Sequence, residues 1–220
     1  SSDTKVLDVG CGDGGFLTAF SELSENCNGV EIRNFGWDEN SNAKIIVGDI
    51  TSEEIKNSLN SKYDLLILRD VIEHILLQKK VDFIKSIHNY MDENSRLLIT
   101  FPPFYSPFGL HQQAILKSPL QIIPFLGWLP KFLIKALLKL SNQMDKWDEI
   151  EEIKDSRMTI SGFKNLMNKC GLEICFHERY FVRPSHEIRY GVKMRKLNSL
   201  KLPIFEEIFV SGCTYIMKKK

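Results

Sequence analysis

The chain has no uninterrupted apolar run near the ~20 residues that a membrane-spanning helix needs, because lysines and prolines break each of its longer hydrophobic stretches. It has almost no net charge, with 29 Lys and Arg against 28 Asp and Glu for a formal +1. That balance excludes the strong positive field of a general nucleic-acid binder. It has only five cysteines, Cys11, Cys27, Cys170, Cys175 and Cys213, scattered and without a C-x-x-C pair. An odd, dispersed set fits neither a disulfide framework nor a structural zinc motif, so reduced thiols and a cytoplasmic location are expected. Internal repeats and low-complexity tracts are missing, and no secretory leader is expected ahead of Lys5. A domain rarely opens on its first central strand, so a segment preceding Ser1 is expected.

What is there alternates. Lys5–Val9, Asn28–Ile32, Lys44–Val47, Tyr63–Leu68 and Arg96–Phe101 read as strands, the last two as apolar runs suited to burial on both faces. Gly14–Ser24, Glu53–Leu59 and Val71–Tyr90 between them carry helical spacing. Strand–helix alternation predicts an α/β fold, a Rossmann-like doubly wound sheet, mostly parallel, of about seven strands. Six of the eight prolines then fall between 102 and 155, where no strand pattern survives. This predicts a helical insertion after the fifth strand. A helix over Ser161–Cys170 and strands over Leu172–Val182 and Phe205–Met217 follow, the last strand antiparallel. The expected organisation is one domain over 1–220: a cofactor-binding core at 1–101, an insertion or lid at 102–155, and the C-terminal part of the sheet at 156–220.

The chemistry begins in VLDVGCGDGGFL, residues 6–17, where Gly10, Gly12 and Gly15 satisfy G-x-G-x-x-G after a strand. Glycines there let a ligand approach the backbone, and a following helix N-terminus faces it. The pattern alone also fits a dinucleotide turn. Three acids tilt the choice. Asp8 ends the first strand, where a carboxylate repels a pyrophosphate but accepts from an ammonium group. Glu31 ends the second, where it can hold both ribose hydroxyls. Asp49 follows the third, where it can accept from the exocyclic amine of adenine. An amino acid, a ribose and an adenine in that order describe S-adenosylmethionine.

VLDVGCGDGGFL, GVEI, VGDI and YDLLILRDVIEHI resemble, in order, the motifs of class I S-adenosylmethionine-dependent methyltransferases, of the group with D/E-V-x-E-H after the fourth strand. The resemblance spans residues 5–101 and, more loosely, 157–217. It implies that Asp8, Gly10 and Gly12 line the methionine end, with Cys11 contributing backbone only. It implies Glu31 on the ribose, Ile32, Asp49 and Ile50 around the adenine, and Arg69 and Asp70 flanking the reacting end. The stretch RNFGWDENSN after Glu31 is too short and polar for the family's second helix, which leaves the adenine edge open. S-adenosylhomocysteine is the expected product. His74 and His111 are the candidate catalytic residues, since an oxygen acceptor needs its proton removed.

Asp70, Glu73 and His74 have i, i+3, i+4 spacing, which on a helix would share one face. A similar E-x-x-E-H arrangement holds a divalent metal in small-RNA 2′-O-methyltransferases and some quinone O-methyltransferases, and His111 would add a ligand. A metal-dependent RNA 2′-O-methyltransferase is therefore one alternative. A non-catalytic cofactor- or partner-binding protein on the same fold is another. The favoured reading is methyl transfer, oxygen before nitrogen or carbon, to a small-molecule, lipid-like or glycan-pathway acceptor. In LPKFLIKALLKLS, residues 129–141, Lys131, Lys135 and Lys139 form a stripe beside an apolar face. That is compatible with peripheral membrane contact or with a lid over an apolar acceptor. The acidic run from Asp145 to Glu152 reads as a solvated hinge, and the basic stretch 183–196 as a second wall.

Overall fold

The computed structural model describes residues 3–37, 43–59, 61–197 and 203–220. Its strands are β1 (Val6–Val9), β2 (Cys27–Glu31), β3 (Lys44–Val47), β4 (Leu65–Arg69), β5 (Arg96–Phe101), β6 (Leu172–Val182), β7 (Arg195–Lys196) and β8 (Gly212–Lys219). They form one sheet in the order β3-β2-β1-β4-β5-β8-β6-β7. β1 to β5 pair in parallel, and β8 enters antiparallel between β5 and β6. The chain order thus reverses between β1 and β4, and in an open α/β sheet a ligand crevice forms at such a reversal, beyond the carboxyl ends of the strands. Every described site expectation but His111 falls at or just after those ends.

The helices are α1 (Gly15–Ser21), α2 (Glu53–Leu59), α3 (Lys80–His88), α4 (Gln112–Ile115), α5 (Lys131–Leu140), α6 (Trp147–Ser156), α7 (Ile160–Lys169), α8 (Pro184–Tyr190) and α9 (Pro203–Phe209). The central core joins Leu7 and Val9 of β1, Leu66 and Leu68 of β4 and Leu97, Ile99 and Phe101 of β5 to Phe83, Ile84 and Ile87 of α3 and Phe163 of α7. A second apolar cluster belongs to the insertion alone, with Phe104, Leu110, Leu126, Ile134, Leu138, Trp147, Ile150 and Ile153 packed together. The insertion therefore carries its own small core.

The sheet is mostly parallel with an antiparallel β8, as expected, and its eight strands include a short one at Arg195–Lys196 against β6. Three expectations are corrected. The Phe205–Met217 strand divides, with α9 over its first half and β8 beginning only at Gly212. The acidic run is no hinge: it lies mostly in α6, whose Trp147, Ile150 and Ile153 are buried while its acids face outward. Finally, helix does not run from Val71 to Tyr90. Residues 71–76 form turns, and helix starts only after the short 3-10 segment Leu77–Lys79.

The cause of the last departure is local. Asp70 takes φ 52°, a left-handed conformation that ends β4 and misdirects the chain for an immediate helix. The carbonyls that a helix would satisfy are met instead by Lys80, whose buried Nζ donates to Ile72 O and Ile75 O at 2.6 Å each and to Ser156 Oγ at 3.2 Å. Burial pushes the Lys80 amine down to about 8, against a smaller opposing pull from Glu73. Ser156 in turn donates to Glu73 O, tying the turn to the end of α6.

Of the three lysines expected along 129–141, Lys131 pairs with Glu151 and Asp155 of α6, and Lys135 lies over the Trp147 ring at 4.8 Å. Two of the three therefore face the insertion's own residues. Among the described residues no helix is long and apolar enough to cross a membrane.

Candidate active site

A cleft of about 920 Å³ opens at the carboxyl ends of β1, β2, β3 and β4. Gly10, Glu31, Ile32, Asp49, Ile50, Asp70 and His74 all contribute to its walls. Asp8, Cys11 and Gly12 belong to the same strand and turn but do not line the cleft. The glycine turn after β1 needs its glycines for stated reasons. Gly10 has φ +73°, and a Cβ there would come within 2.5 Å of Val71 Cγ2. Gly12 has φ +57°, and no atom lies within 4 Å of the position its Cβ would take, so the turn leaves open space above it.

Glu31 organises that turn. Its Oε2 accepts from Gly12 N at 2.9 Å, and its Oε1 accepts from Ile32 N at 2.9 Å and Arg33 N at 3.2 Å. A carboxylate offers about four lone-pair sites, so acceptor capacity remains on the cleft side. Trp37, which sequence reasoning passed over, donates from Nε1 to Gly12 O at 3.0 Å. The turn is therefore clamped through both its N–H and its carbonyl. Trp37 lies in the polar stretch after β2, which the described residues show to be non-helical as expected; 38–42 lie outside them. Nothing in a lone tryptophan of a polar loop marks it as a clamp before the fold is known.

Asp49 uses one oxygen locally, Oδ1 accepting from Thr51 N at 2.8 Å and Thr51 Oγ1 at 2.7 Å. Its Oδ2 takes no bond among the described residues and is left for an incoming donor. Ile32 and Ile50 also line this end, Ile32 being 68% exposed and Ile50 buried. Asp8 is 2% exposed, and its Oδ1 is buried without a hydrogen-bond partner. Burial pushes its carboxyl up to about 6 despite the pull of Arg69, with Glu31 adding repulsion. A buried carboxylate with an idle oxygen fits a cationic partner. Cys11 is buried and its thiol is pushed up to about 12, mainly by burial, so it offers no thiolate. Arg69 is not a cleft wall. Its guanidinium lies 4.1 Å from the Phe16 ring centroid and acts on the site through charge.

The far end of the cleft is built from the turn 71–76 and the insertion. Asp70 Oδ1 accepts from Thr100 Oγ1 at 3.1 Å, and Oδ2 pairs with Arg183 at 3.3 Å. Burial pushes the Asp70 carboxyl up, but Arg183, His111 and Thr100 together hold it below its usual value. Glu73 is 2% exposed, with His111 Nε2 only 3.1 Å from its Oε1. The two do not meet in hydrogen-bonding geometry: both Glu73 oxygens and His111 Nε2 are buried without a hydrogen-bond partner. His74 Nδ1 lies 3.6 Å from Glu152 Oε1 on α6. Burial pulls the His74 imidazole down, but Glu152, Glu73 and Asp70 hold it above its usual value. The His74 and His111 rings stand edge to face, 5.5 Å between centroids. His111 also lines a second cavity of about 30 Å³ with Phe108, Arg183 and His186.

The turn thus brings Glu73 and His74 together with His111, as expected, but by a tight turn rather than one helix face. Asp70 is turned away from them to Thr100 and Arg183. Arg183 opens the basic stretch expected as a second wall, but no sequence signal placed Glu152 here, because it arrives through the tertiary path of α6.

The chain is similar to known proteins in sequence and in fold. Over 122 residues, half of this chain, it is 26% identical to N-methyltransferase 4 of Papaver somniferum, of which the match covers 33%. Over 106 residues it is 28% identical to the (S)-tetrahydroprotoberberine N-methyltransferase of Eschscholzia californica, covering 43% of this chain and 28% of that protein. The matched part spans about a third of the length of these curated relatives. Among solved structures, a TehB-like SAM-dependent methyltransferase from Corynebacterium glutamicum superposes with a TM-score of 0.55 at 14% identity, over 100% of this chain and 82% of that one. Magnesium protoporphyrin IX methyltransferase from Synechocystis, crystallised with bound SAH, gives a TM-score of 0.53 at 14% identity, over 99% and 74%. The family model described as a methyltransferase domain matches residues 1–175, and the chain belongs to that methyltransferase family.

Proposed function

We propose that this domain binds S-adenosylmethionine in the 920 Å³ cleft and transfers its methyl group to a small-molecule acceptor held beneath the insertion. The observation that carries this reading is the row of carboxylates along the cleft: buried Asp8 with an idle oxygen, Glu31 at the glycine turn, and Asp49 with its free oxygen. Asp8 would accept from the cofactor's ammonium, Gly10 and Gly12 would leave room for its backbone approach, and Glu31 would take the ribose hydroxyls. Asp49 would take the adenine amine, between Ile32 and Ile50. SAH bound in the Synechocystis enzyme supports the same ligand class here.

When bound, the cofactor supplies a sulfonium methyl as electrophile. The protein's share is then positioning, worth up to about 7–11 kcal/mol when reactants are held in near-attack geometry. Asp70, fixed by Thr100 and Arg183, would shape the reacting end. We put oxygen first as acceptor atom, because a hydroxyl must lose its proton and His74, His111 and Glu73 gather where that proton has to go. Nitrogen is the second reading, favoured by the names of the two plant relatives.

The test is incubation of the protein with methyl-labelled S-adenosylmethionine and a fractionated cell extract. Label in the small-molecule fraction, absent with Asp49→Ala, is the expected result. Label confined to RNA or protein overturns the acceptor class.

A further inference from the structure

We infer that the acceptor carries a carboxylate, and that Arg183 and His186 hold it in the cavity of about 30 Å³ beside the reacting end. This deepens the proposed function by naming the acceptor's class, and rests on that reading for its use, though not for its geometry.

The cavity forms where the end of β5, the opening of the insertion, the start of α8 and Ser211 ahead of β8 meet. Its ionisable lining groups are Arg183, His186 and His111, and among the described residues no carboxylate lines it. With 29 Lys and Arg against 28 Asp and Glu in the chain, that one-sided lining is local rather than compositional. Such a hollow favours an anion.

Arg183 supplies the main observation. Its guanidinium has five N–H donors, and among the described residues its one charged partner is Asp70, 3.3 Å from Nη1. Its Nε is buried with no hydrogen-bond partner. An N–H taken from water without an acceptor is costly, and an incoming oxygen removes that cost. Because Asp70 occupies Nη1, the edge formed by Nε and Nη2 is left, and that edge takes the two oxygens of a carboxylate side by side. A Cβ on Gly212 would lie 3.0 Å from Arg183 Cδ, so the glycine makes room for the stem.

His186 adds a ring N–H donor, its ring standing edge to face with Tyr190 at 5.8 Å between centroids. Ser211 adds no donor, since its hydroxyl donates to Tyr180 O at 3.2 Å. The volume sets the class. A cavity of about 30 Å³ has room for roughly two water-sized positions. That suits the two oxygens of a carboxylate and is too small for the four of a phosphate. Asp70 lines the large cleft and Arg183 the small cavity, so their ion pair joins the two spaces. A carboxylate on Arg183 therefore anchors the rest of the acceptor toward the end where the methyl group is offered.

The competing account is that Arg183 serves Asp70 alone. The experiment follows the Arg183 Nε–H and His186 ring signals by nitrogen-15 NMR in the S-adenosylhomocysteine-loaded chain. Sodium formate, formamide and sodium phosphate are titrated separately at ionic strength held constant with NaCl. Formate, with three heavy atoms, is expected to saturate at about millimolar concentration, and formamide and phosphate to bind at least about tenfold more weakly. Arg183→Lys keeps a cation beside Asp70 but lacks the fork. It is expected to weaken formate, read at the His186 ring, more than about fivefold while S-adenosylhomocysteine affinity changes less than about twofold. A formate response no stronger than that of formamide, or one unmoved by Arg183→Lys, overturns the site. Tighter binding of phosphate overturns the carboxylate class. The labelled product of the extract incubation is expected to be retained on an anion exchanger, and an unretained product overturns the assignment of the acceptor. Formate titrated into the unloaded chain keeps the two readings apart. Its binding without any binding of S-adenosylhomocysteine sinks the cofactor reading alone, and the reverse sinks the carboxylate site alone.

Discussion

Asp8 shows how one residue can work against the fold and for the ligand. Its carboxyl stands at about 6, chiefly through burial, above the ordinary aspartate value. Folding therefore favours the neutral form, and this group's contribution to stability is lost as pH rises from about 4 through about 6. At neutral pH the fold carries a charged Asp8 at a cost, so Asp8→Asn is expected to raise the melting temperature at pH 7.5 while weakening S-adenosylhomocysteine binding. Thermal melts and titrations on the same variant check both halves. In the wild type, affinity is expected to fall about tenfold per pH unit below about 6, because the cofactor's ammonium needs the carboxylate. A flat profile from pH 7 to 5 contradicts that role. Trp37 belongs to the same scale. Trp37→Ala frees the Gly12 carbonyl and is expected to weaken cofactor binding by a few-fold to about tenfold with little change in the far-ultraviolet circular dichroism. The positions of Asp8, Glu31 and Asp49 were legible because each lies at, or just after, the end of a recognisable strand. Trp37 was not, since its partner is a carbonyl 25 positions away.

At the scale of elements, strands were read best where burial on both faces writes a continuous apolar run, as in LLIL of β4 and RLLITF of β5. The failures have a common source, a backbone break that helical or strand spacing does not report. Asp70 at φ 52° turns 71–76 out of a helix that the apolar spacing suggested, and the break before Gly212 divides a run that read as one strand. The acids of α6 disguised an amphipathic helix because its apolar residues are fewer than its charges. Lys80 is the price of the 71–76 turn: it replaces backbone donors that a helix would have supplied. Lys80→Met is expected to lower stability by about 2–4 kcal/mol in urea denaturation, because two buried carbonyls lose their donor. A neutral effect would mean that the turn needs no such support.

At the scale of the molecule, the sheet's reversal between β1 and β4 opens the cleft, and the insertion, with its own apolar cluster, brings Glu152 to its wall. Nothing in the order of residues announced that α6 would bring Glu152 to His74, 78 positions earlier in sequence, or that Arg183 would reach Asp70. Glu152→Gln is therefore informative. It removes the partner that holds the His74 imidazole above its usual value, and is expected to lower that titration, read by NMR of the His74 ring. The central claim, however, is the cofactor. Calorimetric titration of S-adenosylhomocysteine into the wild type, Glu31→Ala and Asp49→Ala, with NAD⁺ as control, tests it most directly. The account predicts saturable one-to-one binding that both substitutions weaken severely and that NAD⁺ does not reproduce. Binding of NAD⁺, or S-adenosylhomocysteine binding that neither substitution changes, would contradict it.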